Sequence, residues 1–407
     1  MLTRRLPSPP LSFFGGRTVA LAALAMASAV SCAASVTWKN IQFGGFASQG
    51  WLYSSDNNLP TTNKGGTWDF REIGLNASTT LGSRLRVGAQ AFAQSLGEIG
   101  EDKVLLDWAI VDYSFHPAFG LRAGRIKYPK GLYGEALDLD ALRPFVFLPM
   151  AVYNPVLRDF NASFDGGMVY GSVPVRGGSL DYKLFAGRIP MSPEKGVAEF
   201  VNNEGFIVAP GVRDLEMDSV LGGQLTWTPP VDGLKFVYSY SEFREFVGAG
   251  PFVYYPAVDF VLGLDRLRWH TVSAEYTWKN WVFASEWQRA TGHVGYSAQP
   301  LLPYTVDPFG WDGWYVSAAC RVHPKLELGT YYGSLKNKGN NVEARPDDQH
   351  DLAVSARYDL NDHVLFKLEA HYVDGGYQTF NTPRIPNPPA TLSDDNVIVA
   401  FKTTFVF

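Results

Sequence analysis

Apolar and polar residues alternate along most of this chain, and they do so with a period of two. In "HDLAVSARYDL" Leu352, Val354, Ala356 and Tyr358 are set against Asp351, Ser355, Arg357 and Asp359. "HVLFKLEAHYV" sets Val364, Phe366, Leu368, Ala370 and Tyr372 against Lys367, Glu369 and His371. The same holds for "LRWHTVSAEYTWK", where Val272, Ala274, Tyr276 and Trp278 share a face, and for "RLRVGAQAFAQ", where Leu85, Val87, Ala89, Ala91 and Ala93 do. Successive side chains of a strand point to opposite faces, so each segment predicts a strand with one apolar and one polar or charged face. Hardly a helical period interrupts the series. The chain ends alike: in "VIVAFKTTFVF" Val397, Val399, Phe401, Phe405 and Phe407 alternate with Lys402 and Thr404.

The connections sort by length. Short ones fall at 81–83, 116–120, 175–178, 229–233, 279–280, 323–325 and 361–362, with the Gly, Pro, Asn and Asp of ordinary turns. Longer, irregular stretches fall near 55–66, 97–103, 128–162, 191–217, 245–266, 292–312, 337–348 and 375–393. Seven short turns and eight long loops join sixteen strands. An even number puts both termini on the short-turn side.

This sorting decides which solvent the apolar face meets. A tilted strand of about 9–11 residues crosses a bilayer. Closing the sheet leaves no unpaired edge in lipid. Transmembrane barrels combine an even strand number, short turns at one end, long loops at the other, an apolar outside and a polar lumen. The rival is a large soluble β-sandwich or jelly roll, with charges facing water and aromatics a core. Sandwich turns do not sort so regularly by length. The prediction is an all-β, transmembrane, antiparallel up-and-down β-barrel of about 16 strands. Trp227, Tyr276, Trp278, Trp281 and Trp314 fall near predicted strand ends, where interfacial aromatic girdles sit.

Composition adds the compartment. Arg4, Arg5 and Arg17 precede or flank the apolar run Thr18–Val30, and small residues follow, as in an export signal cut after Ala33 or Ala34. Residues 1–34 are therefore read as a leader and 35–407 as the barrel; lipidation at Cys32 is the alternative. Loss of the three arginines takes the formal charge from −5 to −8. It also leaves Cys320 alone, so there is no disulfide framework, as suits a bacterial envelope. No apolar stretch beyond the leader is long enough for a transmembrane helix.

On these patterns the chain resembles Gram-negative outer-membrane porins of the sixteen-strand type over its whole mature length. The stretch "LRAGRIKYPKGLYGE" (Leu121–Glu135) is most similar to the phosphate-selective porin family and its relatives. The resemblance implies a bacterial outer-membrane location and a passive, water-filled channel for small hydrophilic solutes or ions. It implies no cofactor and no nucleic acid, with outer-membrane lipid and the barrel assembly machinery as partners, and it leaves a homotrimer open. The terminal aromatic residues, Phe407 and Phe405, resemble the signal that the assembly machinery reads. The loop after strand five, 128–162, would fold back into the barrel and constrict it. Its apolar residues need a surface to pack on, and "EALDLDAL" suggests a helical turn; an extracellular cap or a trimer contact are the other readings.

Inward-phase charges on the strands balance. Arg84, Arg86, Lys183, Lys235, Arg321, Arg357, Lys367 and Lys402 face Glu72, Asp181, Glu275, Glu286, Glu327, Asp351, Asp359 and Glu369. Strand five adds Arg122, Arg125, Lys127 and Lys130, the spacing of three leaving open which face Arg122 and Arg125 take, and the loop adds Glu135, Asp138 and Asp140. With Arg84 and Arg86 these are the candidate pore-lining residues. They would either set a transverse field that selects ions or pair into salt bridges that pin the loop. The phosphate-selective family implies a denser basic ladder, so phosphate is not carried over. No G-x-S-x-G, H-E-x-x-H or Walker pattern points to an enzyme, and no catalytic or metal residue is expected. A barrel sheathing a periplasmic electron carrier is a further alternative, although no C-x-x-C-H motif is present.

Overall fold

The computed structural model describes residues 36–38, 40–192, 195–203, 206–339, 348–379 and 392–407. The leader 1–34, with Cys32, lies outside them. Seventeen strands run in chain order: β1 (Val36–Trp38), β2 (Ile41–Ser54), β3 (Phe70–Leu81), β4 (Leu85–Leu96), β5 (Leu105–His116), β6 (Phe119–Lys127), β7 (Ser163–Val175), β8 (Gly178–Arg188) and β9 (Asp214–Thr228). There follow β10 (Leu234–Phe252), β11 (Tyr255–Trp278), β12 (Trp281–Ala298), β13 (Leu302–His323), β14 (Leu326–Asn337), β15 (Asp348–Asp359), β16 (Val364–Gly375) and β17 (Asp395–Val406). Two short helices, α1 (Arg158–Ala162) and α2 (Gly196–Asn203), lie in the connections. None of the described helices is long and apolar enough to cross a membrane.

Strands β2 to β17 form a closed, antiparallel, sixteen-strand barrel in which each pairs with its chain neighbour and β17 returns to β2. The three-residue β1 pairs only with the start of β2, Val36 opposite Phe43. All seven short turns fall where the sequence places them. The β15–β16 register sets Ser355 opposite Glu369 and Ala356 opposite Leu368, so like faces align across neighbouring strands. Leu368 is 55% exposed on the outside and Glu369 0% exposed on the inside. Phe401 and Phe405 share the outer face with Leu352, Val354 and Tyr372. Lys367, His371, Lys402 and Thr404 are buried inside. Trp227, Trp278, Trp281 and Trp314 are exposed on the outer surface.

Two of the expected long loops are not loops. Stretches 245–266 and 292–312 belong to the hairpins β10–β11 and β12–β13, strands of 18 to 24 residues whose turns are only 253–254 and 299–301. About ten residues suffice to span a bilayer, so these strands extend well past it. Bulges hide them: the register shifts between Pro251 and Phe252, and between Leu264 and Leu267, and Glu245 has φ 53°. Each shift moves the apolar set to the other parity, and the alternation reads as broken.

The seam is sealed by the last residue. The Phe407 amide donates to Gly45 O at 3.0 Å, and Gly45 N donates back to Phe407 O at 2.9 Å. A Cβ at Gly45 would lie 2.7 Å from the Phe407 ring, so only glycine admits this approach. The Phe405 and Phe407 rings stack at 5.8 Å.

Candidate functional site

The connection between β6 and β7, residues 128–162, contains 3-10 turns at Gly134–Ala136 and Asp140–Leu142 before α1. The second lies wholly, and the first partly, in the segment expected to make a helical turn. The connection's partners are inward-phase side chains from around the barrel. Gly131 N donates to Ser239 Oγ on β10 at 3.0 Å, and Leu132 N to Glu286 on β12 at 3.0 Å. Gly131 has φ 51°, and a Cβ there would meet the Glu286 carboxylate at 2.1 Å, so glycine is required at this contact. Val146 N and Phe147 N donate to the two oxygens of Glu369 on β16 at 2.8 and 2.9 Å. Gln288 on β12 donates to Ala151 O, and Arg357 on β15 to Ala141 O. Phe147 stacks on Phe70 of β3 at 5.3 Å, and Phe145 meets Tyr331 of β14 edge-on at 5.2 Å.

The charges of this connection are spent on the same contacts. Asp138 pairs with Lys127 of β6 and with Arg158 of α1, and both cations also reach Asp107 of β5. Glu135 pairs with Lys183 of β8 and lies 3.9 Å from Arg122. Asp140 pairs with Lys367 at 2.8 Å, lies 3.7 Å from Lys402 and accepts from Thr404 at 2.7 Å. Burial pushes the Asp138 carboxyl up, but Arg158 and Lys127 outweigh it and hold it well below the usual carboxylate range. Asp140 behaves alike against burial, held down by Lys367, Lys402 and Arg143. Each of the three acids is thus in a salt bridge to a cation of the barrel wall, the geometry of a pinned loop.

The remaining candidates divide. Arg122 is inward, bonded through Nε and NH2 to Asp112 at 2.9 and 2.7 Å, and Tyr170 donates to the other oxygen of that carboxylate. Arg86 is opposite Asp112 in the ladder, yet Arg122 and Tyr170 occupy that carboxylate, and Arg86 has no ion pair among the described residues. It lines a cavity of about 130 Å³ of mixed polar and apolar lining, with Arg122, Lys127, Glu135, Asp138 and Asp140.

Three of the candidate residues do not present a charge to the lumen. Arg125 has the phase of the exposed Leu121 and binds Asp165 at 2.6 Å on the outer face, since its neighbour Ile126 is the inward residue, opposite Phe164. Lys130 is 2% exposed: it donates to Val152 O and Asn161, and lies over the Trp269 ring at 3.8 Å, offering no charge to a passing ion. Arg84 is exposed in the turn between β3 and β4, at the rim. Arg158 and Asp107, central to the charge network, were not anticipated. Arg158 follows an apolar run with nothing to mark its partner, and Asp107 turns inward only through a bulge in β5.

Glu369, His371 and Asp351 form a buried chain at 3.0 and 2.9 Å, with Tyr331 donating to Asp351 at 2.7 Å. Both imidazole nitrogens are engaged by carboxylates, which leaves neither free to activate a nucleophile. No group of three or more metal-ligating side chains occurs among the described residues.

No protein-family model and no curated sequence matches the chain. Solved structures do. Outer-membrane-expressed OmpT of Vibrio cholerae is 12% identical, with 92% of this chain and 100% of that chain covered and a TM-score of 0.55. The anion-selective porin from Comamonas acidovorans is 11% identical, with 90% and 99% covered and a TM-score of 0.54. Salmonella typhi OmpF, in complex with daunomycin, is 12% identical, with 92% and 100% covered and a TM-score of 0.56. At these identities the likeness is one of fold.

Proposed function

We propose that the protein is a porin-type channel of the bacterial outer membrane, through which small hydrophilic solutes or ions diffuse passively. One observation carries the reading. A closed sixteen-strand barrel turns an apolar face outward and a charged face inward, and a 35-residue connection is bonded to that inner face at β10, β12, β15, β16 and β17. Sixteen strands leave room for an aqueous interior in porins, and such a connection would narrow it. The porin names of the structural neighbours support the same reading.

Selectivity on this reading is set by charges that remain unpaired. The acids of the connection pair with wall cations, whereas Arg86 lines a cavity with no ion pair of its own among the described residues, which supports a mild preference for anions there; Asp181 of β8, likewise without an ion pair among them, opposes it. Nothing favours phosphate in particular, because Arg122, Arg125 and Lys127 are in ion pairs and Lys130 is buried against Val152 O, Asn161 and Trp269. Single-channel recording in a planar bilayer tests the proposal. Discrete, passive, ohmic steps with a reversal potential displaced toward the anion are expected in a salt gradient. A folded, heat-modifiable barrel that gives no steps would refute it.

A further inference from the structure

The inward faces of β11, β12 and β13 change character part-way along their length. On β11 the inward series runs Glu275, Ser273 and Thr271, then Trp269, Leu267, Leu264 and Phe260. On β12 it runs Glu286 and Gln288, then Ala290 and Val294, and on β13 it runs from Tyr315 to Trp311 and Phe309. The switch lies level with Val152 of the 128–162 connection, which packs on Ala284 and Tyr315, and beyond it, toward the long loops, the lining is mostly apolar, with Asp307, Asn337 and Gln378 as its polar members. An aqueous passage has no use for such a surface. It encloses a cavity of about 300 Å³, capped by Phe160 of α1 and by Val197, Phe200 and Val201 of α2.

We infer that this cavity binds the ring of a small aromatic or alicyclic solute, so that the channel takes amphipathic as well as hydrophilic molecules; the assignment of substrate class rests on the channel reading. Size supports it: a dry apolar cavity of about 150 Å³ accommodates benzene, and twice that volume suits two fused rings. The lining supports it too. Trp269 and Trp311 meet edge to face at 5.1 Å, and Phe206 and Phe260 stack at 5.0 Å, so both faces and edges of aromatic rings are on offer. Asn154 offers a polar handle for orientation. Asn154 accepts from Val156 N through Oδ1, while its Nδ2 has no protein partner among the described residues and is placed to donate to a hydroxyl or carboxylate oxygen of the solute. Of the other amides in the lining, Gln288 bonds to Ala151 O and Trp269, Asn161 to Leu157 O and Lys130, Asn337 Oδ1 accepts from Gly339 N, and Gln378 Oε1 accepts from Gln349.

The test uses 2-naphthol on the full-length protein in phosphatidylcholine nanodiscs, with empty nanodiscs as the blank for partitioning into lipid. Saturable, one-to-one binding above the blank is expected by calorimetry. Val294→Trp fills the cavity and Leu264→Asn makes it polar; each should weaken binding by about tenfold or more while the barrel stays heat-modifiable. Asn154→Ala should abolish the preference for 2-naphthol over naphthalene and leave naphthalene binding unchanged. In the planar bilayer, 2-naphthol should interrupt the potassium chloride current of the wild type and not that of Val294→Trp. Absence of saturable binding in a conducting barrel, or binding indifferent to both cavity substitutions, overturns the inference and leaves the channel reading intact. Binding with the predicted variant pattern in a barrel that never conducts overturns the channel reading and leaves the site.

Discussion

Leu368 and Glu369 are neighbours in sequence whose replacement should break different things. Glu369→Ala removes the acceptor of Val146 N, Phe147 N and His371 from a fully buried position. A hydrogen bond to a charged group contributes roughly 1.5–3 kcal/mol, and a buried donor left without an acceptor costs about 1–3 kcal/mol. The two amides alone therefore weaken the anchoring of 145–148 by about 2–6 kcal/mol. Even the lower figure shifts the docked-to-undocked ratio roughly 30-fold, at 1.4 kcal/mol per factor of ten. The barrel itself should persist, because β16 is held by backbone pairing to β15 and β17 that this side chain does not enter. Leu368→Arg, in contrast, puts a charge on the lipid face at a cost of about 2–4 kcal/mol near the bilayer midplane, and leaves the connection untouched.

The assay is hydrogen exchange at Val146 and Phe147 together with heat-modifiable migration. Glu369→Ala should lose amide protection at those two residues, gain conductance and keep the folded mobility. Leu368→Arg should keep protection in the molecules that fold and lower the folded fraction. Full protection of both amides in Glu369→Ala would refute the reasoning, since nothing else within the described contacts accepts from them.

Arg86→Gln should move the reversal potential toward cations, whereas Arg125→Gln should leave it unchanged, because Arg125 is bonded to Asp165 on the outer face; equal shifts would place both in the pore. Acid should be tolerated: the Asp138 and Asp140 pKa values are held below the ordinary 3.8, so their contribution to anchoring is complete above that pH and is lost only as pH falls through the lower folded values. Protonation of these two carboxyls should therefore not release the connection at pH 4 or above, and titration of Asp138 or Asp140 above pH 4, followed by carboxyl 13C shifts, would contradict the ion-pair network. Deleting 137–147 should enlarge the single-channel step and relax selectivity. Deleting Phe407 removes both backbone bonds to Gly45 and should slow insertion, read as degraded or unassembled chains in pulse–chase; insertion at the wild-type rate would make the residue ordinary lipid-facing surface.

The faces of the strands were legible because burial on a closed barrel is a property of parity alone, and parity is written in the sequence. Leu368 and Glu369 needed no structure to be told apart. The lengths of β10 to β13 were not legible, because bulges such as that at Glu245 reverse parity in mid-strand and make a continuous strand read as loop. The site was half legible. Lys367, Lys402 and Glu286 could be assigned to the interior, but their partners could not: Glu286 and Glu369 are held by backbone amides of the connection, and an amide leaves no mark in a sequence. The face of Arg125 stayed open in the sequence, because residues three apart on a strand face opposite ways and the pattern does not say which of Arg122 and Arg125 is inward.

Counting charges therefore says little about what such a wall selects. Eight bases and eight acids of inward phase make the lumen look neutral and uniformly wet, yet many of them are spent holding chain to chain. Lys367 and Lys402 serve Asp140, Lys183 serves Glu135, and Glu286 and Glu369 serve the backbone of the connection. On the channel reading, what a solute would meet among the described residues includes the Arg86 guanidinium and the Asp181 carboxylate of β8 on the side of the short turns, and an aromatic wall of Trp269, Trp311 and Phe260 on the side of the long loops. A passage with a free cation at one end and an apolar recess at the other discriminates by the joint presence of a negative group and a ring. It follows that Arg86→Gln and Val294→Trp, about which no contact is shared, should act additively on the flux of an aromatic carboxylate such as 2-naphthoate. Each alone should leave the flux of glycerol within about twofold, since glycerol has neither feature. A loss of glycerol flux in either variant would mean that the substitution closes the passage rather than altering its preference.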